Sequence, residues 1–193
     1  IQRKSKGRFE ALKQALSDKD MEQPGLMEAV VGAVADGSPE FADFAADKVL
    51  PAYGSKVVSH LVASFNPYGK MPDVRRLRAL KHIDRNEAMR LARQAIHGRH
   101  KNLVSEALST LAGSLTDESL LLQQALIRKG SLRRDAYCAL RGIQSTVVVE
   151  TVCKAFQAGV LEASDAMHGT LDAPYTKFIV DTLQGLTRGH PDL

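Results

Sequence analysis

Apolar positions return three and four residues apart along most of this chain, the spacing of helices that bury one side. From Asn102 to Ala112 the sorting is clean: Leu103, Val104, Ala107, Leu108 and Leu111 share one half of the helical wheel. Asn102, Ser105, Glu106, Ser109 and Thr110 share the other. From Arg85 to His97, Ala88, Met89, Leu91, Ala92, Ala95 and Ile96 face one way, and Arg90, Arg93, Gln94 and His97 the other. Ser119 to Lys129 is apolar most of the way round, as expected of a central helix covered from several sides. Val147-Val148-Val149 would suit a strand, but helical spacing on both sides predicts helix. No segment alternates with period two, so the expected class is all-α without a sheet.

The helices repeat. Ala79-Leu80-Ile83, Ala107-Leu108-Leu111 and Ala136-Tyr137-Leu140 recur at 28 to 29 residues. Each is followed by a second apolar stretch: Leu91-Ala92-Ala95-Ile96, Leu122-Ala125-Leu126, then Val152-Ala155-Phe156. A two-helix unit of this length cannot cover its own apolar face and must lean on a neighbour, which predicts an α-solenoid of stacked antiparallel helix pairs, about five in all. Its expected extent is 9–188, with the best repeats over 73–159. A flexible basic tail is expected over 1–8 (Arg3, Lys4, Lys6 and Arg8, without an acid) and a loose tail over 189–193.

The breaks have local causes. Gly37-Ser38-Pro39 offers a turn, a cap and a first helical residue. Pro51 is expected to interrupt the helix that follows. Asn66-Pro67-Tyr68-Gly69-Lys70-Met71-Pro72-Asp73 is the longest internal loop signal, with Asp73 placed to cap. Asp84 and Glu87 form a capping-box-like pair, Thr116 and Asp117 open the matching helix one repeat on, and Ser131 caps the next. A last helix is expected from Pro174 to Leu186.

Arg76 and Arg133 occupy the same repeat position as Val104, inside the apolar arc, three residues before the repeated alanine. They read as structural arginines, with the stem buried and the guanidinium on a carboxylate or on helix-end carbonyls, or else as ligand contacts.

Val104-x-x-Ala107-Leu108-x-x-Leu111-x-Gly113 and Arg133-x-x-Ala136-Tyr137-x-x-Leu140-x-Gly142 resemble HEAT-like repeats of the phycobilin-lyase type. The loop Asn66-Pro67-Tyr68-Gly69-Lys70 followed by Arg75-Arg76-Leu77-Arg78 resembles bacterial HEAT-repeat proteins that lack an enzymatic domain. That resemblance implies a non-enzymatic, cytoplasmic, protein-binding scaffold.

Charge adds a location. Ten basic residues and three acids lie between Lys70 and Lys101, a local net of +7 against +4 for the whole chain, so the remainder carries −3. Second helices of paired-helix arrays usually line the concave side, which makes Arg90, Arg93 and His97 the first candidates for a contact surface, with Arg75 and Arg78 beside them. Most of these side chains read as a solvated helix face; for those that bind, the expected partner is a protein with an acidic surface. The alternative is nucleic acid, extending to a HEAT-like alkylpurine DNA glycosylase. Aromatics are only 5% of the chain and Trp is absent, which weakens that alternative.

Other chemistry finds little support. No apolar run approaches a membrane span. No nucleotide-binding glycine fingerprint or serine-elbow motif occurs, and no small-molecule substrate or cofactor is implied. His97 and His100 lack companions for a metal site. Cys138 and Cys153 read as free thiols of a reducing compartment, with a disulfide between their helices as the minor alternative. Arg134 and Arg141 near Cys138 could lower its pKa, but without a histidine base nearby in the sequence it reads as an inert thiol at an interhelix seam. The chain opens on Ile1 rather than Met, as a fragment, a trimmed chain or a processed product would.

Overall fold

The computed structural model describes residues 2–17, 25–168 and 175–181, and every regular element among them is helical. Contacts group the chain into two compact units, one running to Thr110 and the other starting at Leu111.

The first unit contains α1 (Gln2–Ser17), α2 (Leu26–Ala33), α3 (Pro39–Phe44), α4 (Leu50–Ala52), α5 (Val58–Ala63), α6 (Met71–Ile83) and α7 (Arg85–Ala95). Helix α8 (Lys101–Leu111) ends at the boundary. Residues 2–8, expected as a tail, belong to α1 and are helical. Gln, Lys and Arg are good helix formers, and propensity carries the helix through this stretch. Phe9 of α1 packs on Phe41 and Phe44 of α3, with ring centroids 6.4 Å and 4.8 Å away. Val34, Ala42, Val49, Leu50, Val57, Leu61, Leu77, Leu80, Ala92 and Ile96 are fully enclosed.

Pro51 does not break its helix. A π-helical segment, Ala45–Val49, precedes α4 and carries the chain through the proline. Proline has no N–H to give and its ring crowds the carbonyl four residues back; a wider turn relieves both. Ser38 makes no side-chain cap for α3; Asp36 Oδ1 instead accepts from the Ser38 N–H at 2.9 Å.

Asp84 alone closes α6 and opens α7. Its N–H donates to the Leu80 carbonyl, and its carboxylate accepts from the N–H groups of Asn86 and Glu87 at 3.1 Å each. The reciprocal arm of the capping box is not made, because Glu87 turns to Arg90. Helices α6 and α8 are tied side by side. Lys81 Nζ donates to Ser109 Oγ at 2.8 Å, and Arg78 Nε to Glu106 Oε2 at 3.5 Å. Both pairs are separated by 28 residues, the length of the sequence repeat. Thr110, placed on the polar half by the wheel, is buried with its hydroxyl on the Glu106 carbonyl, which satisfies it within its own helix.

The second unit contains α9 (Glu118–Ile127), α10 (Ser131–Ala139), α11 (Thr146–Gln157) and α12 (Ser164–Met167), with one further helical stretch over 175–181. The remainder of the expected last helix, and the tail at 189–193, lie outside the described residues. Tyr137, Leu121, Leu140, Ile143, Val148 and Val152 form the core. Ser145 Oγ donates to Glu118 Oε1 at 2.7 Å, bringing the start of α11 to the start of α9. Ser145 also caps α11, accepting from the Val148 N–H at 3.2 Å.

Gly130, at φ +57°, is the N-cap of α10, and Ser131 is its first helical residue rather than its cap. Ser114 rather than Thr116 precedes the helical turn before α9, and its hydroxyl donates to the buried Asp117 carboxylate at 2.6 Å. Helix α9 is not covered on all sides. Leu126 and Ile127 are 62% and 58% exposed, while Gln124 is 1% exposed and accepts from Arg128 Nε at 2.8 Å.

Candidate interaction surface

The basic stretch from Lys70 to Lys101 divides by what each side chain touches. Arg75 is buried. Its Nε donates to Asp43 Oδ1 at 2.8 Å and its Nη1 to the Val34 carbonyl at 3.1 Å. It fastens α6 to α3 and to the end of α2, and a side chain enclosed in this way presents no surface to a partner. The contact role expected of Arg75 is therefore replaced by a structural one.

Arg78 lies among three carboxylates, at 3.8 Å from Asp43, 3.5 Å from Asp47 and 3.5 Å from Glu106. It lines a groove of about 340 Å³ between α6 and α8, together with Met71, Val74, Asn102, Glu106 and Ser109. Arg76 Nη1 donates to Asp73 Oδ1 at 2.9 Å, with both side chains largely enclosed, while its Nε finds no partner among the described residues. Asp73 also accepts from the Asn66 N–H at 2.9 Å, so this acid pins the 66–70 loop onto α6. Arg133 Nε donates to the Arg128 carbonyl, the cap of α9, at 2.9 Å, and its Nη1 is 3.9 Å from Glu162.

Arg90, Arg93 and His97 come from one side of α7 and the turn after it. Ala88, Leu91, Ala92 and Ala95 are buried on the other side, because the two sets alternate with the helical period. Arg90 is exposed and grips Glu87 Oε2 through Nε at 2.9 Å and Nη2 at 2.8 Å. The hydrogen bond to Glu87 raises its pKa further, against a smaller opposing effect of burial. Arg93 is half-buried and His97 exposed. The surface these residues offer is charged and polar, suited to salt-sensitive contacts with an anionic partner.

Lys70, Arg85, Arg99 and Lys101 complete the ten. They are exposed and form no ion pair among the described residues. Sequence reading counted them without separating them from their paired neighbours. The signal that could have done so is the spacing of Asp43, Asp47 and Glu106 from Arg75 and Arg78, at 28 to 32 residues.

Cys138 and Cys153 are both free thiols. Burial pushes the Cys138 pKa up, helped by Asp165, and outweighs the lowering by Arg141 and Arg134. The lowering that those arginines could give is outweighed, and Arg134 and Arg141 are themselves engaged by Asp165, which suits the inert thiol expected at this position. Among the described residues no group of three or more His, Cys, Asp or Glu side chains could hold a metal, and no helix is long and apolar enough to cross a membrane.

No family model, curated protein or solved structure matches this chain.

Proposed function

We propose that this protein is a non-enzymatic interaction scaffold built from HEAT-like helix pairs stacked in the manner of an α-solenoid, and that it captures an acidic protein surface with the exposed side of α7. The observation that carries the reading is the pair of ties between α6 and α8, Lys81 to Ser109 and Arg78 to Glu106. Each spans 28 residues, so first helices of consecutive repeats lie side by side at the period of the sequence. Stacking of that kind uses one side of each second helix for the core and leaves the other to a partner. On α7 the side left over carries Arg90, Arg93 and His97.

The test is charge reversal on that side. Arg90→Glu with Arg93→Glu should abolish retention of acidic proteins on the immobilised chain at low salt, with the melting temperature lowered by no more than a few degrees. Exposed charges contribute about 1 kcal/mol or less to stability, so a loss of binding accompanied by an equal collapse in stability would mean that the arginines hold the fold together instead.

A further inference from the structure

The end of the first unit where α6 and α8 begin differs from the rest of the basic stretch. Of the four exposed cations of that stretch that form no ion pair among the described residues, Lys70, Arg99 and Lys101 are there; Arg85 starts α7 at the opposite end of α6. The two loops that carry the three touch. A Cβ on buried Gly98 would come within 3.2 Å of the Pro67 carbonyl oxygen. Asn102 Nδ2 reaches Met71 Sδ at 3.3 Å, joining the first turns of α8 and α6. Neither 66–71 nor 97–102 contains an acid. The nearest, Asp73, is 5% exposed and occupied by Arg76 and the Asn66 N–H. The positive poles of two side-by-side helices add to the same field.

Tyr68 stands at the tip of this end, 71% exposed. Its loop is braced: the Tyr68 N–H donates to Asn66 Oδ1 at 2.9 Å and the Gly69 N–H to the Asn66 carbonyl at 2.9 Å. A large ring on a braced loop, left out of the core, two residues from Lys70 and on the loop that touches the one carrying Arg99, has the features of a stacking platform within an electropositive site.

We propose that this end binds single-stranded nucleic acid, with successive phosphates on Lys70, Arg99 and Lys101 and an unpaired base stacked on Tyr68. Cations alone would serve an acidic peptide or an anionic membrane equally well. The ring distinguishes the ligand, because a base has a π-face to offer and a carboxylate or phosphate headgroup has none. Of the α7 side only His97 adjoins these loops, whereas Arg90 and Arg93 lie within α7 itself, so the two proposals are tested on different side chains.

Fluorescence anisotropy of a short labelled single strand of mixed sequence, with the full chain, tests this. The strand should bind at about 50 mM salt and weaken steeply toward about 200 mM, with a logarithmic slope near −2 for three contacted phosphates. Lys70→Glu, Arg99→Glu and Lys101→Glu together should cost at least about tenfold in affinity. Tyr68→Ala should cost about fivefold or more. Arg90→Glu with Arg93→Glu should leave strand binding within about twofold of the parent. The proposal is overturned by any one of four results: no strand binding at low salt; a triple variant that keeps the parent's melting temperature and affinity; a Tyr68→Ala variant with unchanged affinity; or a polyglutamate peptide or anionic vesicle bound more tightly than the strand.

Discussion

Asp73 holds three things at once at the residue scale: the Arg76 guanidinium, the Asn66 N–H and the closed form of the 66–70 loop. Gly69 approaches it so closely that a Cβ there would overlap the carboxylate and come within 3.0 Å of the Asn66 carbonyl oxygen. Asp73→Ala would strand a buried guanidinium and an amide, which should cost about 3 kcal/mol or more. Gly69→Ala should cost about 1 to 3 kcal/mol through overpacking. Urea denaturation of both variants checks these values; a neutral Gly69→Ala would mean that the loop is free to move away from α6.

Tyr175 is the other residue whose surroundings set a measurable outcome. Burial, with a smaller contribution from Cys153, pushes its pKa from 10.0 to about 12, and its hydroxyl has no partner among the described residues. A phenol with a raised folded-state pKa holds its proton more tightly when folded. Its contribution to stability is complete below the unfolded value near 10 and is lost as pH rises toward 12. Tyr53 and Tyr137, also raised by burial, act in the same direction. Tyr175→Phe should therefore flatten the fall in melting temperature above pH 10. It should also raise stability at neutral pH by about 1 kcal/mol, because an unpaired buried hydroxyl is removed. A variant with the parent's alkaline profile would contradict the burial of this ring.

Among the elements, α7 and α9 show where periodicity succeeds and where it fails. Helix α7 sorts cleanly, and its buried set is the one the wheel gives except for Met89, which is half-buried. Helix α9 is apolar nearly all round, so its pattern cannot say which side is covered. The structure leaves Leu126 and Ile127 outside and encloses Gln124, whose amide is satisfied by Arg128. Leu126→Gln should change stability by less than about 0.5 kcal/mol, whereas Leu121→Ala, at a fully enclosed site, should cost about 2 to 5 kcal/mol. Thermal melts that rank the two the other way would reverse the orientation of α9. Gly113 and Gly142, 29 residues apart, end α8 and α10 at φ +72° and +82°. Here the repeat is written in backbone conformation as well as in apolar spacing, because an L side chain resists that region.

For the molecule as a whole, the charge distribution is the feature that sequence left undivided. The net of +7 between Lys70 and Lys101 is a fact of composition, yet it does not behave as a single patch. Arg75, Arg76 and Arg78, enclosed or partly enclosed, meet carboxylates from near and distant positions, and their fields are largely neutralised at short range. Lys70, Arg99 and Lys101 lie at the start of α6 and α8 with their charge uncancelled among the described residues. Asp43 and Asp47, which the sequence shows only as part of an acidic early segment, become the partners of Arg75 and Arg78 once α3 and the π-helical segment meet α6.

Local physics made a good part of this legible in the residues themselves. The 3.6-residue apolar period gave the helical class. The turn glycines and the Asp84 cap gave helix ends, and the recurrence at 28 to 29 residues anticipated the separation at which α6 and α8 are tied. Each of these depends on neighbours within a few residues, or on a repeated local unit. Tertiary structure alone decided that Arg75 is a fastener rather than a contact, which side of α9 faces solvent, and which cations form no ion pair among the described residues. Those outcomes depend on groups 24 to 41 residues away that meet only after folding, and no local pattern encodes a distance between them.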